Sequence, residues 1–292
     1  VRDTLAAARA ELGDDLTRAA RHADELEGRV LLLERRLRAT GASRENALVS
    51  SPAAPASPAP PPGHGGAALD YFVFEARMRG SLDVIRERQR PYVEDFRGAA
   101  PVLDVGCGRG EFLQLLREAG IDARGVEIDD GMVAFCRGEG LDVEHADAVD
   151  YLQRLEDASL GGVFAAQVLE HLPPASIVRL LELAATKLRP GGILVAETIN
   201  PVSPAALRNY FADLTHSQPL VAETLVLAAQ QAGFARVDVR YLNEPPASER
   251  LRHVELPSEP PFESARADLY ADVERLNEVL FAPLDYAVVA RT

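Results

Sequence analysis

The sequence has no tryptophan, two cysteines, two methionines and a single lysine, Lys187. No apolar run approaches the ~18 residues that a transmembrane helix needs. Cys107 and Cys136 are too few for a disulfide framework or a cysteine-built zinc cluster, so reduced thiols are expected. Arginine supplies nearly all the basic charge, a compositional bias to which no function is attached. Positive charge is also short overall: 31 Lys and Arg stand against 45 Asp and Glu, a net charge of -14. With no basic stripe free of acids, binding to a nucleic-acid backbone is disfavoured. The first residues, VRDTLAAARAELGDD, are charged and lack an apolar stretch with a cleavage site, which predicts no secretory signal and a cytoplasmic location.

What is present fits a globular protein, with 47% hydrophobic and 26% charged residues, long enough at 292 residues for one catalytic domain and an accessory segment. Residues 1–40 predict a coiled-coil helix. Leu16, Ala23, Val30 and Leu37 fall at heptad position a, and Leu12, Ala19, Leu26 and Leu33 at d. Valine at a with leucine at d leans toward a parallel dimer, in which Arg29 at g would meet Glu34 at e; Arg9 at an a position weakens the first heptads. The alternative is an amphipathic helix lying on its own catalytic domain. Residues 41–66 are rich in Pro, Ala, Ser and Gly and read as a semi-extended linker in which His64 is solvated.

From residue 67 to 292, strands and helices alternate. A helix from Tyr71 to Phe96 leads into a buried strand, Pro101–Val105, followed by helix Glu111–Ala119, strand Ala123–Ile128, helix Gly131–Gly138 and strand Asp142–His145. Strand Gly162–Val168, helix Ala175–Leu188 and strand Gly192–Thr198 come next, then helix Ala222–Ala232, strand Ala235–Tyr241, helix Ser264–Leu280 and strand Asp285–Ala290. This order predicts right-handed βαβ units, a parallel sheet covered on both faces, and a final strand able to return antiparallel beside its predecessor.

The stretch Val102–Phe112 runs from a buried strand through Gly106, Cys107, Gly108, Arg109 and Gly110 into a helix, the place where a doubly wound sheet binds cofactors. A nicotinamide-binding loop would carry its third glycine at position 111, where this chain has Glu111. Asp104, before the first glycine, is placed to pair an ammonium group. Glu127 ends the next strand nineteen residues after Gly108, the spacing at which a carboxylate reaches ribose hydroxyls, and Asp147, after the third strand, can accept from an adenine amine. Singly, each acid is more often a surface charge or a helix cap. Three at successive strand ends are not easily coincidence.

Through VLDVGCGRG, GVEID, HADA, FAAQVLEHLPP and LRPGGILV, residues 100 to 241 resemble the class I S-adenosylmethionine (SAM)-dependent methyltransferases. The resemblance implies a Rossmann-like α/β fold with a doubly wound seven-stranded sheet, last strand antiparallel, and SAM as cofactor. By position it implies that Asp104, Gly106 and Gly108, with Cys107 in the same loop, hold the methionyl end, Glu127 the ribose, and Asp147 with Ala148 the adenine, while Ile128 and Gln167 line the pocket. Arg77 and Arg79 are as readily packing-helix residues as contacts to the cofactor carboxylate or an acceptor phosphate. Three short pieces, 74–81, 88–92 and 213–219, are similar to methyltransferases associated with cell-surface polysaccharide and lipopolysaccharide synthesis.

A sugar hydroxyl is a poor nucleophile, so a carbohydrate O-methyltransferase gains from a general base. His171, in the loop after the fourth strand, is the first candidate. Glu170 is a second base or a holder of His171, and His216 reaches the same cavity from a lid. Glu197 and Asn200 are candidate acceptor-binding groups, and His145 reads as structural. No metal motif is apparent, though Asp and His ligands can converge from distant loops. The leading expectation is O-methylation of a saccharide or sugar phosphate, with homo-oligomers formed through the coiled coil and a glycosyltransferase as partner. The alternatives are a methyltransferase for a small molecule such as a quinone or secondary metabolite, and a coiled-coil scaffold whose methyltransferase-like domain is inactive.

Overall fold

The computed structural model describes residues 80–256, 259 and 262–292. The expected coiled coil, the linker, and Arg77 and Arg79 lie outside the described residues. The chain divides into two compact units, Val1–Arg88 and Gln89–Thr292. The described part of the first belongs to helix α1 (Leu82–Gln89) and the two residues before it. Among the described residues, no helix is long and apolar enough to cross a membrane.

The second unit opens with a 3-10 segment, Arg90–Phe96, where one continuous α-helix had been expected. Pro91 stands in its first turn and removes a backbone donor, which favours a change of winding there. Beyond it run β1 (Val102–Val105), α2 (Glu111–Glu118), β2 (Ala123–Glu127), α3 (Asp130–Gly138), β3 (Val143–His145), α4 (Ala148–Arg154), β4 (Leu160–Ala166) and α5 (Pro174–Lys187). The series continues with β5 (Leu188–Ile199), α6 (Pro204–Ala212), α7 (Ala222–Ala232), β6 (Arg236–Leu242), α8 (Phe262–Leu280) and β7 (Asp285–Arg291).

The seven strands form one sheet in the order β3-β2-β1-β4-β5-β7-β6. Strands β1 to β5 pair with one another in parallel, and β7 is antiparallel to both β5 and β6. The expected antiparallel last strand is therefore present, inserted between β5 and β6. Both faces are covered, as a parallel sheet requires. On one face Leu103, Val105, Val163 and Ala165 pack with Tyr151 and Leu152 of α4, Leu180 and Ala184 of α5, and Leu225 and Ala229 of α7. On the other, Val102, Phe164, Ile193 and Val195 pack with Tyr92 and Phe96 of the 3-10 segment and with Phe112 and Leu116 of α2. Alternate residues of β1 thus feed opposite cores, and the strand is buried throughout. The strand order reverses between β1 and β4, so the carboxyl ends of those two strands flank the crevice where α/β sheets bind ligands.

Candidate active site

At that crevice the chain turns from β1 into α2 through three glycines with positive φ, Gly106 at 61°, Gly108 at 55° and Gly110 at 79°. Only glycine takes this backbone without strain. A Cβ on Gly106 would lie 2.6 Å from Val168 Cγ2, and one on Gly110 would run into Leu141 Cδ1. The glycines therefore serve close internal packing as well as any approach to a ligand. Glu111 forms a buried ion pair with Arg109, Nη2 to Oε1 at 2.7 Å, so the position that excludes the nicotinamide pattern has its own structural use.

Glu127, at the end of β2, is buried and holds this turn. Its Oε2 accepts the Gly108 N–H at 2.9 Å, and its Oε1 accepts the N–H groups of Ile128 at 2.7 Å and Asp129 at 2.9 Å. Ile128 is 67% exposed beside it. Asp104 is buried on β1. Cys107 is buried, and its thiol is pushed well above its ordinary pKa by the hydrogen bond to Cys136 and then by burial. Asp147 is exposed and caps α4, its Oδ1 accepting from Val149 N at 2.8 Å and Asp150 N at 3.1 Å, with Ala148 the first residue of that helix. His145 ties β3 to the β2 loop, Nε2 to Ile128 O at 2.9 Å, as expected of a structural histidine.

This chain matches the family model described as a methyltransferase domain across residues 74–239, more than half its length. The chain belongs to that methyltransferase family. A SAM-dependent methyltransferase from Archaeoglobus fulgidus superposes on it with a TM-score of 0.71 at 37% identity, covering 76% of this chain and all of that one. The ubiquinone biosynthesis O-methyltransferase of Methylococcus capsulatus is 33% identical over 105 residues, 34% of this chain and 43% of that protein. The enzyme of the same name from Xylella fastidiosa is 36% identical over 109 residues, 35% of this chain and 42% of that one. The chain spans less than half the length of these two relatives.

The cofactor of the methyltransferase is SAM, and the residues present suit it. A glycine turn at the switch point, a buried aspartate before it, and carboxylates at the end of β2 and after β3 are acceptors of the kind that the ammonium, hydroxyl and amine donors of such a molecule require.

The loop after β4 forms the other wall. Gln167 sits at φ 58°, a conformation a non-glycine residue holds only when its surroundings fix it. Its Nε2 donates to Glu197 Oε1 at 3.1 Å and Asp285 Oδ1 at 3.2 Å, and its N–H to Glu197 O at 2.8 Å. Glu197 also accepts from the Tyr92 hydroxyl, and burial, followed by the Glu197 charge, raises the Tyr92 phenol pKa far above its usual value. Asn200 does not face an acceptor as expected. Its amide donates to Pro283 O at 2.9 Å and its Oδ1 accepts Val202 N–H at 3.2 Å, so the side chain fastens the turn after β5 to the one before β7.

Glu170 and His171 lie on a 3-10 turn, Leu169–His171, and the methyltransferase brings His216 onto it from the segment after α6. Potential ligand atoms of Glu170, His171 and His216 all lie within 4.8 Å of one another. Two hydrogen bonds lock the segment down: Ser217 N donates to Glu170 O at 2.7 Å and Ser217 Oγ to His171 O at 2.9 Å. Glu170 is buried and both histidines are partly so. Sequence reasoning missed Asp213 and Thr215, which orient His171. Thr215 Oγ1 is 2.6 Å from Asp213 Oδ1 and 2.9 Å from His171 Nδ1. Its one proton goes to the carboxylate, so it accepts from Nδ1–H, and Nε2 is the basic nitrogen of His171. His216 Nδ1 donates to Tyr210 O at 2.7 Å, which fixes the same tautomer.

Proposed function

We propose that this methyltransferase transfers the methyl group of SAM to a hydroxyl oxygen of a small-molecule acceptor, a ring hydroxyl of the quinone-precursor type rather than a saccharide. Two named ubiquinone biosynthesis O-methyltransferases share 33% and 36% identity with the matched segment, which supports this class of acceptor. The saccharide reading and its glycosyltransferase partner rest on short flanking pieces, one of which lies almost wholly outside the described residues.

Bound SAM supplies an electrophilic methyl group on a sulfonium. The protein then has to bring the acceptor oxygen onto the axis of the S–CH₃ bond, exclude water and manage the hydroxyl proton. We assign the cofactor to Asp104, the turn Gly106, Cys107 and Gly108, Glu127, Ile128, Asp147, Ala148 and Gln167. The acceptor hydroxyl falls to the cluster of Glu170, His171 and His216. The observation that carries this reading is that the loop bearing Glu170 and His171 abuts the glycine turn: Val168, two residues before Glu170, is the side chain against which Gly106 packs. Nucleophile and methyl donor would thus meet on one sheet edge.

The test is methyl transfer from radiolabelled SAM to a panel of catechols, hydroquinones, saccharides and sugar phosphates, with the product resolved by mass. Label in ring-hydroxyl ethers is the expected result. Label confined to the saccharides overturns the acceptor class, and failure of the full chain to bind SAM leaves the scaffold reading in its place.

A further inference from the structure

We propose that Glu170, His171 and His216 hold a divalent transition-metal cation of the Mn²⁺ or Zn²⁺ kind, whose open positions take the acceptor oxygen. The acceptor half of this inference rests on the proposed O-methyl transfer; the cation site rests on geometry alone.

A general base needs one histidine. Here two imidazoles and a buried carboxylate converge within 4.8 Å, from a turn after β4 and a segment after α6. Both histidines are held in one tautomer by what their Nδ1 atoms do. His171 Nδ1–H donates to Thr215 Oγ1 at 2.9 Å, which is backed by Asp213, and His216 Nδ1–H donates to the Tyr210 carbonyl at 2.7 Å. This is the outer-shell arrangement that fixes ring orientation and raises basicity in metal-bound histidines, with Nε2 as ligand. Asp213 Oδ2, 3.8 Å from His216 Nε2, adds negative charge to the same place.

Two imidazoles with one carboxylate suit a first-row divalent cation and leave positions open for exogenous oxygen ligands. Bond lengths of ~2.0–2.2 Å require the three ligand atoms to draw together by side-chain rotation. Strapping of the 213–217 segment to the Glu170–His171 turn through Ser217 already holds their backbones in place. A cation there acts as a Lewis acid on the acceptor hydroxyl. The hydroxyl proton passes to solvent, the oxygen forms the new bond to the methyl carbon, the S–CH₃ bond breaks with its electron pair kept on sulfur, and an O-methyl ether and S-adenosylhomocysteine result.

The experiment is titration of the full chain with Mn²⁺ followed by electron paramagnetic resonance, with Zn²⁺ competition. One equivalent of Mn²⁺ bound, with ¹⁴N modulation from imidazole, at least tenfold weaker binding in His216→Ala and retained SAM affinity in that variant is the expected result. Protein that binds SAM but neither cation overturns the inference. The ¹⁴N modulation is read on the wild type, so a misfolded variant does not blunt the test. Ring-hydroxyl methylation that survives exhaustive dialysis against chelator also overturns the cation site and leaves O-methyl transfer standing. Stoichiometric Mn²⁺ binding without methylation of any acceptor in the panel supports the site and removes the acceptor reading.

Discussion

Glu127 Oε2 accepts the backbone N–H of Gly108 at 2.9 Å, joining the end of β2 to the glycine turn after β1 across nineteen residues of sequence. The carboxylate that the sequence assigns to a cofactor ribose is therefore also the brace of the loop that we assign to the methionyl end. With both oxygens engaged by backbone donors, it arrives in place before any ligand does.

Removing that brace should affect binding and stability together. In Glu127→Ala, three N–H groups lose their acceptor, and with a buried charge-assisted bond among them a loss of ~1–3 kcal/mol in folding stability is expected. Calorimetry should show SAM affinity reduced by about tenfold or more, while Glu127→Gln, which keeps one carbonyl acceptor, should fall between the two. Unchanged SAM affinity in Glu127→Ala would remove Glu127 from the cofactor site.

Gly106→Ala should fail for two separable reasons. The residue sits at φ 61°, and its Cβ would lie 2.6 Å from Val168 Cγ2. Backbone strain and overpacking each cost ~1–3 kcal/mol. Adding Val168→Ala removes the clash and leaves the strain, so the double variant should melt above Gly106→Ala and below Val168→Ala. Additive losses in that cycle would show that the contact is not what excludes a side chain at this position.

Much of the fold was legible because buried parallel strands write themselves as short apolar runs ending in turn residues, as in Val102–Val105 and Leu160–Ala166. Two short helices escaped. In α4 and α6 the sequence did contain start signals, Asp147 before Ala148 and Ser203 before Pro204, both of which cap. Asp147 had been read as an adenine acceptor with a helix cap as the alternative, and the structure shows it capping α4. Glycine turn, strand-end acids and the Glu170–His171 pair were readable because they are local. Asp213 and Thr215 were not, since their link to His171 spans more than forty residues and closes only when the segment after α6 folds over the turn after β4.

Alkaline unfolding should set in early. The Cys107 thiol is raised by its hydrogen bond to Cys136 and then by burial, and the Tyr92 and Tyr286 phenols are raised mainly by burial. Groups whose folded pKa exceeds the unfolded value favour the native state fully below the unfolded pKa, and that contribution is lost as pH climbs toward the folded value. Stability should therefore fall from about pH 8.5 for the thiol and steepen beyond about pH 10 for the phenols. Cys107→Ala should remove the first part of the decline in urea-melt midpoints measured from pH 7 to 10.5. An identical decline in that variant would mean that Cys107 is not its source.

Thr215 is the residue through which orientation of His171 can be tested without touching a proposed ligand. Its hydroxyl passes the pull of Asp213 to His171 Nδ1, so Thr215→Val leaves that nitrogen without its acceptor and frees the ring to turn or change tautomer. Outer-shell losses of this kind typically cost ~10–100-fold in metal affinity or activity. Thr215→Val should lower Mn²⁺ affinity and turnover by that order, leave SAM affinity within about twofold, and be rescued by Thr215→Ser, which restores the hydroxyl and not the methyl. A packing role for Thr215 predicts the reverse pattern, with Val tolerated and Ser impaired, so the pair of variants separates positioning of His171 from support of the fold.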